Sequence, residues 1–203
     1  MLSTFLDKYK ISNKKLLVSV SGGVDSMVLC DLLIKSNLNY SIAHINYKLR
    51  GKESDDDQLF VKKYSTLNEL NFYSISYDLS NYTKSIQSKA RDIRYEHLNK
   101  IKTKYKYDYI LTAHHLDDNI ETIFLNLMRG KKNNTFLGIK KFNNCIVRPI
   151  LEYTKEEIIN YAIKNDLKWR IDSSNIENKY SRNKIRNMII RNYCTFIAVD
   201  ASK

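Results

Sequence analysis

A chain of 203 residues, 43% hydrophobic and 28% charged, suits one well-cored soluble globular domain. No apolar run approaches the roughly 20 residues of a membrane-spanning helix and no secretory core opens the sequence, so a cytoplasmic protein without membrane contact is expected. Cys30, Cys145 and Cys194 are dispersed with no C-x-x-C pair, which disfavours a disulfide framework, a zinc knuckle or an iron–sulfur site within the chain, while a net charge of +12 points to a polyanionic partner or, more blandly, to a lysine-rich genome.

In chain order, residues 1–15 read as a short leading helix or arm and residues 16–20, Leu-Leu-Val-Ser-Val, as a first strand. Ser21-Gly22-Gly23-Val24-Asp25-Ser26 follows and leads into a helix over 25–35. Glycines let a backbone turn sharply and bring its N–H groups close to a ligand, and a helix start adds unpaired N–H donors and a positive dipole end. Strand, glycine loop and helix in this order make a phosphate cradle. The plainer reading is a glycine turn. The Gly-Lys-Ser/Thr of the common P-loop is absent.

A second strand over 40–46 leads to a basic loop over 47–53 that contains Arg50. Ser54 is then a candidate N-cap, followed by Asp55, Asp56 and Asp57 in a first turn and by Leu59, Phe60, Tyr64, Leu67 and Leu70 at helical spacing. A third strand covers 72–77, a helix spans about 84–104, and a fourth strand over 108–113 ends at His114-His115. The helix over 116–129 ends at Gly130, which suits a C′ position. After a loop over 130–141 comes a short fifth strand at 145–147, ended by Arg148-Pro149. Thr154 and Glu157 have capping-box spacing for a helix to about 165, and a last short helix begins near 181. Alternating strands and helices predict a doubly wound, mainly parallel α/β sheet with helices on both faces. One domain over 1–203 is expected, with a short helical extension from about 151.

Ligands in such sheets bind beyond the carboxyl ends of strands, near the point where strand order reverses. Three polar motifs begin at strand ends, at 21–26, 44–50 and 112–121, so they converge on one edge. On a helix, Asp117 and Glu121 share a face with Asp118 beside them. Neighbouring carboxylates there can hold a divalent cation or act as a general base; an acidic first turn favoured by the helix dipole explains one or two of them without a site. Adjacent histidines on a strand face opposite sides, so one of His114 and His115 is expected to be buried and the other to line the site. Arg50 is a phosphate contact or part of a solvated loop. Arg91 and Arg94 bind backbone phosphates or pair with Asp92 and Glu96 on a helix surface.

Ser-Gly-Gly-x-Asp-Ser after a first strand resembles the signature of the ATP pyrophosphatases, whose Rossmann-like fold is of the adenine nucleotide α-hydrolase type. The wider pattern resembles the tRNA(Ile)-lysidine synthetase family. It runs through residues 21–26, His44 and Asn46, Leu49-Arg50-Gly51, Ser54-Asp55, Ala90-Arg91, Arg94-Tyr95, His114-His115 with Asp117, Asp118, Glu121 and Thr122, and Arg129-Gly130. It ends with Arg148-Pro149, Trp169, Asp172, Ser174-Asn175, Tyr180, Arg182-Asn183 and Ile185-Arg186, covering about 15–190. Tyr47 and Gln87 stand where family members often carry histidine and glutamate. The family's usual C-terminal domains have no counterpart, which suggests a minimal or truncated form.

The resemblance implies that ATP adenylates C2 of the wobble cytidine of a CAU-anticodon tRNA(Ile), and that free L-lysine then displaces AMP to form lysidine. Ser21, Gly22, Gly23, Val24, Asp25 and Ser26 would hold ATP, and Asp25 and Asp117 would hold Mg2+. Asp25, Asp117, Asp118 and Glu121 are the implied catalytic acids; Arg50, Arg91, Arg94, Arg182 and Arg186 would face the tRNA or the activated phosphate. A homodimer that enlarges the RNA surface is left open. The rival readings are a tRNA-thiolating enzyme of the same superfamily, which the scattered cysteines disfavour, and a non-catalytic tRNA-binding relic, which the intact loop and acids disfavour.

Overall fold

The computed structural model describes residues 9, 11–82, 85–128, 130 and 137–171. Its elements are β1 (Leu16–Ser19), α1 (Val24–Lys35), β2 (Tyr40–Asn46), α2 (Lys52–Leu67), β3 (Phe72–Ser76), α3 (Ile86–Tyr105), β4 (Tyr109–Leu111), α4 (Leu116–Met128), β5 (Phe142–Asn143), β6 (Ile146–Val147) and α5 (Lys155–Lys164). They form a sheet of order β3-β2-β1-β4-β6-β5. All pairings are parallel except the short hairpin between β5 and β6. The doubly wound, mainly parallel α/β fold expected from the strand–helix alternation is therefore present. Of the leading helix or arm expected over 1–15, residues 1–8 and 10 lie outside the described residues and 11–15 are not helical; the short helix expected from 181 lies wholly outside them.

The period-two alternation of strand side chains feeds two cores. Leu16 and Val18 of β1, Ile42 of β2 and Leu111 of β4 pack with residues of α1, α2 and α5. The intervening Leu17, Ala43 and Ile110 pack with Leu98 and Ile101 of α3 on the opposite face. Strands buried on both faces explain the continuous apolar runs that replace polar alternation. Ile158 and Ala162 of α5 are fully buried in the same core as α1. Tyr161 also donates to Asp31 at 2.7 Å, a bond that fastens α5 to α1.

Two local features differ from expectation. Helix α2 begins at Lys52 because Gly51, at φ 52°, turns the chain into it. Ser54 lies inside the first turn, where its Oγ accepts from the Arg50 N–H at 3.1 Å. The region after α4 holds a second strand, β5, that is too short to show a period. By contrast, α5 starts as its sequence predicts. Thr154 Oγ1 accepts from the Glu157 N–H at 3.1 Å and Glu157 Oε2 accepts from the Thr154 N–H at 2.7 Å, completing the capping box. No helix among the described residues is long and apolar enough to cross a membrane.

Thr154→Ala should lower unfolding stability by about 1 kcal/mol, with Thr154→Ser restoring most of it, as read by urea denaturation.

Candidate active site

Strand order reverses at β1, which lies between β2 and β4. A cleft of about 620 Å³ opens at this reversal, where the loops after β1 and β4 meet. Ser21, Asp25 and Ser26 line it from the first loop, Thr112, His114, Asp118 and Glu121 from the second, and Arg91 and Arg94 from α3.

The first loop is held by its own polar groups. Gly22 has φ +94°, a conformation that side chains strain to adopt, and a Cβ there would sit 3.3 Å from Val61 Cγ2. The Gly22 N–H donates to Ser26 Oγ at 3.2 Å, the Gly23 N–H donates to Ser21 Oγ at 3.3 Å, and Ser26 Oγ donates to the Gly23 carbonyl at 2.9 Å. Gly23 is the N-cap of α1 and makes no side-chain cap hydrogen bond; a helix start of this kind suits an anion. Beneath the loop, the buried His44 donates through Nδ1 to the Val20 carbonyl at 2.8 Å. Burial holds the His44 imidazole below its ordinary pKa.

Lys155, at the start of α5, donates from Nζ to Asp25 Oδ1 at 2.5 Å. Its backbone N–H donates to Asp117 Oδ2 at 3.3 Å. Asp117 therefore sits at the positive end of α5 and is absent from the cleft lining. Asp118 caps α4, accepting from the His115 N–H at 3.2 Å, and also lines the cleft. Buried His115 places Nε2 3.5 Å from Asp118 Oδ2 and 3.9 Å from Asp25 Oδ1. Carboxylates from the two loops are thus neighbours across one imidazole. Carboxylates are the donor type that a hard divalent cation takes together with phosphate oxygens and water, although here Asp25 Oδ1 already accepts from Lys155 and Asp118 Oδ2 from the His115 N–H. Among the described residues, no group of three or more His, Cys, Asp or Glu gathers for a cation.

The histidine pair divides as expected, with His115 buried and His114 lining the cleft. His114 shares a hydrogen bond with Thr112 Oγ1 at 2.9 Å. Burial pushes its imidazole down to about 4; Asp118 opposes this, and the charges of Arg148, Arg94 and Arg91 add to it. His114 is therefore neutral at pH 7.

The predicted basic residues separate. Arg91 and Arg94 reach the cleft. The Arg91 guanidinium lies 5.1 Å from the centre of the Tyr95 ring, and Arg94 Nε donates to Tyr47 Oη at 3.4 Å. Tyr47 in turn donates to the Ala90 carbonyl at 2.9 Å, so this tyrosine ties the end of β2 to α3. Arg50 is not brought to the cleft lining. Its Nη2 donates to Asp57 Oδ2 at 2.6 Å, while Arg170 Nε donates to Asp57 Oδ1 at 2.8 Å. The Arg170 N–H donates to the Gly22 carbonyl at 2.9 Å, so the same network braces the glycine loop. Arg182 and Arg186 lie outside the described residues. Arg148 and Ile139 also line the cleft and Lys155 reaches Asp25, and of these three the sequence pattern marks only Arg148, through the Arg148-Pro149 pair.

A family model described as a PP-loop domain matches residues 2–193. The chain is 38% identical over 192 residues to a tRNA(Ile)-lysidine synthase of Clostridium tetani, covering 89% of this chain and 41% of that protein. It is 34% identical over 199 residues to one of Bacillus subtilis, covering 92% of this chain and 42% of that protein. The chain thus spans about two fifths of these curated relatives. Among solved structures, it resembles the U34-tRNA thiolase NcsA of Methanococcus maripaludis, with a TM-score of 0.70, 22% identity and coverage of 89% and 68% of the two chains. It also resembles the NH3-dependent NAD synthetase of Campylobacter jejuni, with a TM-score of 0.55, 18% identity and coverage of 96% and 81%. At these identities the two structures support the fold.

Because the His114 pKa is depressed, its contribution to stability is fully present above the ordinary value near 6.5 and is lost as pH falls toward 4. NMR titration should find this ring titrating near 4. The protein should also lose stability relative to His114→Asn between those pH values.

Proposed function

This chain belongs to the PP-loop domain family, and from that premise we propose that it ligates lysine to C2 of the wobble cytidine of CAU-anticodon tRNA(Ile), converting ATP to AMP and pyrophosphate. The observation that carries the proposal is one cleft, lined by both the glycine loop and the Asp118–Glu121 turn. Its relatives named tRNA(Ile)-lysidine synthase support the substrate assignment.

The reaction divides into two displacements. The cytosine O2 attacks the ATP α-phosphorus, forming an O–P bond as the bond to pyrophosphate breaks. The lysine ε-nitrogen then attacks C2, the C2–O bond breaks, and AMP leaves with that oxygen. The glycine loop and the start of α1 hold the departing pyrophosphate with N–H donors fixed before the reaction begins. Asp25 and Asp118 are the residues that would hold Mg2+, which neutralises phosphate charge when bound. Relative to the expected pair of Asp25 and Asp117, this exchanges Asp117, which binds the start of α5, for its neighbour.

Free lysine enters with its ε-amine almost wholly protonated at pH 7, so a base must remove a proton before attack. Asp118 and Glu121 line the cleft and suit both tasks, attracting the ammonium and then accepting its proton. The neutral His114 adds no charge that would repel it. Arg91 and Arg94, at the mouth, suit phosphates of the tRNA backbone. Cysteine chemistry has less support. Cys30 is fully buried, and burial pushes its thiol up to about 12, which suppresses the reactive thiolate.

AMP release should require lysine and the CAU tRNA together. Asp25→Asn should lower this turnover by about 10²–10³-fold while leaving tRNA affinity near that of the unmodified protein, as read by filter binding. AMP released at the same rate without lysine would sink the assignment.

A further inference from the structure

Arg148 follows β6 and is only 4% exposed, yet it lines the cleft. Its Nη1 donates to the Lys140 carbonyl at 2.6 Å, and its backbone N–H donates to the Lys141 carbonyl at 2.9 Å. These bonds fix the arginine against the β5–β6 side of the cleft. Among the described residues its Nε has no hydrogen-bond partner, and it is fully withdrawn from solvent. A buried guanidinium with an unsatisfied N–H is costly, and an arginine fork pairs best with a planar oxyanion. Arg148 therefore has the features of a built anion subsite.

The surroundings define the anion. Arg148, His114 and Asp118 all line the same cleft. Glu121 and the apolar Ile139 also line this cleft. Buried positive charge, an apolar surface and carboxylates together complement a small zwitterion with a carboxylate at one end, an aliphatic stem and an ammonium at the other. A backbone phosphate suits Arg148 less well. Arg91 is exposed on α3, where a polymer can reach, whereas Arg148 lies behind the protein surface.

We propose that Arg148 anchors the α-carboxylate of the amino-acid substrate, while Asp118 and Glu121 receive its side-chain ammonium. The inference rests on the lysine-ligating reading and deepens it by naming the group that selects an amino acid over a simple amine. Arg148 binds and orients; it takes no part in bond making.

The test compares lysine, lysinamide and cadaverine as nucleophiles in tRNA-dependent AMP release by the full chain. Lysinamide replaces the carboxylate with a neutral amide, and cadaverine lacks it altogether. Both should show a KM about 10- to 100-fold above that of lysine, the range expected for losing a charge-assisted hydrogen bond. Arg148→Lys and Arg148→Gln should raise the KM for lysine by a similar factor and leave those for cadaverine and ATP nearly unchanged. Equal use of all three nucleophiles by the unsubstituted protein would overturn the proposal even if neither variant folds. So would a variant that raises the KM for ATP or tRNA in place of lysine, since the anion would then be a phosphate. Failure of lysine itself to support AMP release would instead overturn the functional reading beneath it.

Discussion

Strand β1 ends between two parallel neighbours, and the chain must leave it by a turn tight enough to start α1 at Val24, five residues beyond Ser19. Gly22 makes that turn at φ +94°, against the side chains of Val61 and Phe60. The same turn brings Ser21, Asp25 and Ser26 to the cleft, where residues that follow β4 also line it. The meeting of phosphate cradle and carboxylates follows from strand order, because β1 and β4 are adjacent at the reversal. Every side chain assigned to the cleft depends on that adjacency.

Electrostatic compensation shapes the interior of the cleft. Asp25 has Lys155 at hydrogen-bond distance, and Asp118 uses one carboxylate for a helix cap and for the Nε2 side of His115. Charge is therefore held in networks rather than isolated in the interior, where a lone ion would be expensive. His114 shows the other solution: burial beside three arginines keeps the ring neutral. A neutral ring, a compensated aspartate and a buried guanidinium thus line one cleft.

Much of this arrangement was legible in the residues. Apolar strands alternating with amphipathic helices indicated the parallel sheet, and the glycine loop announced a phosphate site. The capping spacing of Thr154 and Glu157 located the start of α5. What escaped notice depends on long-range contact. Lys155 meets Asp25 across 130 residues of sequence, and no local spacing announces such a pair. Arg50 pairs locally with Asp57 near the start of α2, whereas Arg170 meets the same carboxylate across 113 residues, once the stretch beyond α5 has packed there. The carboxylates at 117 and 118 are adjacent in sequence but turn to different neighbours, one to α5 and one to the cleft. Strand β5 has only two residues, too few for any period to register.

In the proposed reaction, nucleotide activation and amine attack share one cleft at the β1–β4 reversal, on the wobble base. The most direct measurement is nucleoside mass spectrometry of a CAU-anticodon tRNA(Ile) incubated with the full chain, ATP and lysine. The wobble cytidine should gain the mass of lysine less one water. Its conversion to a sulfur-containing base, or recovery of unchanged cytidine under conditions where the tRNA binds, would rule the proposed reaction out.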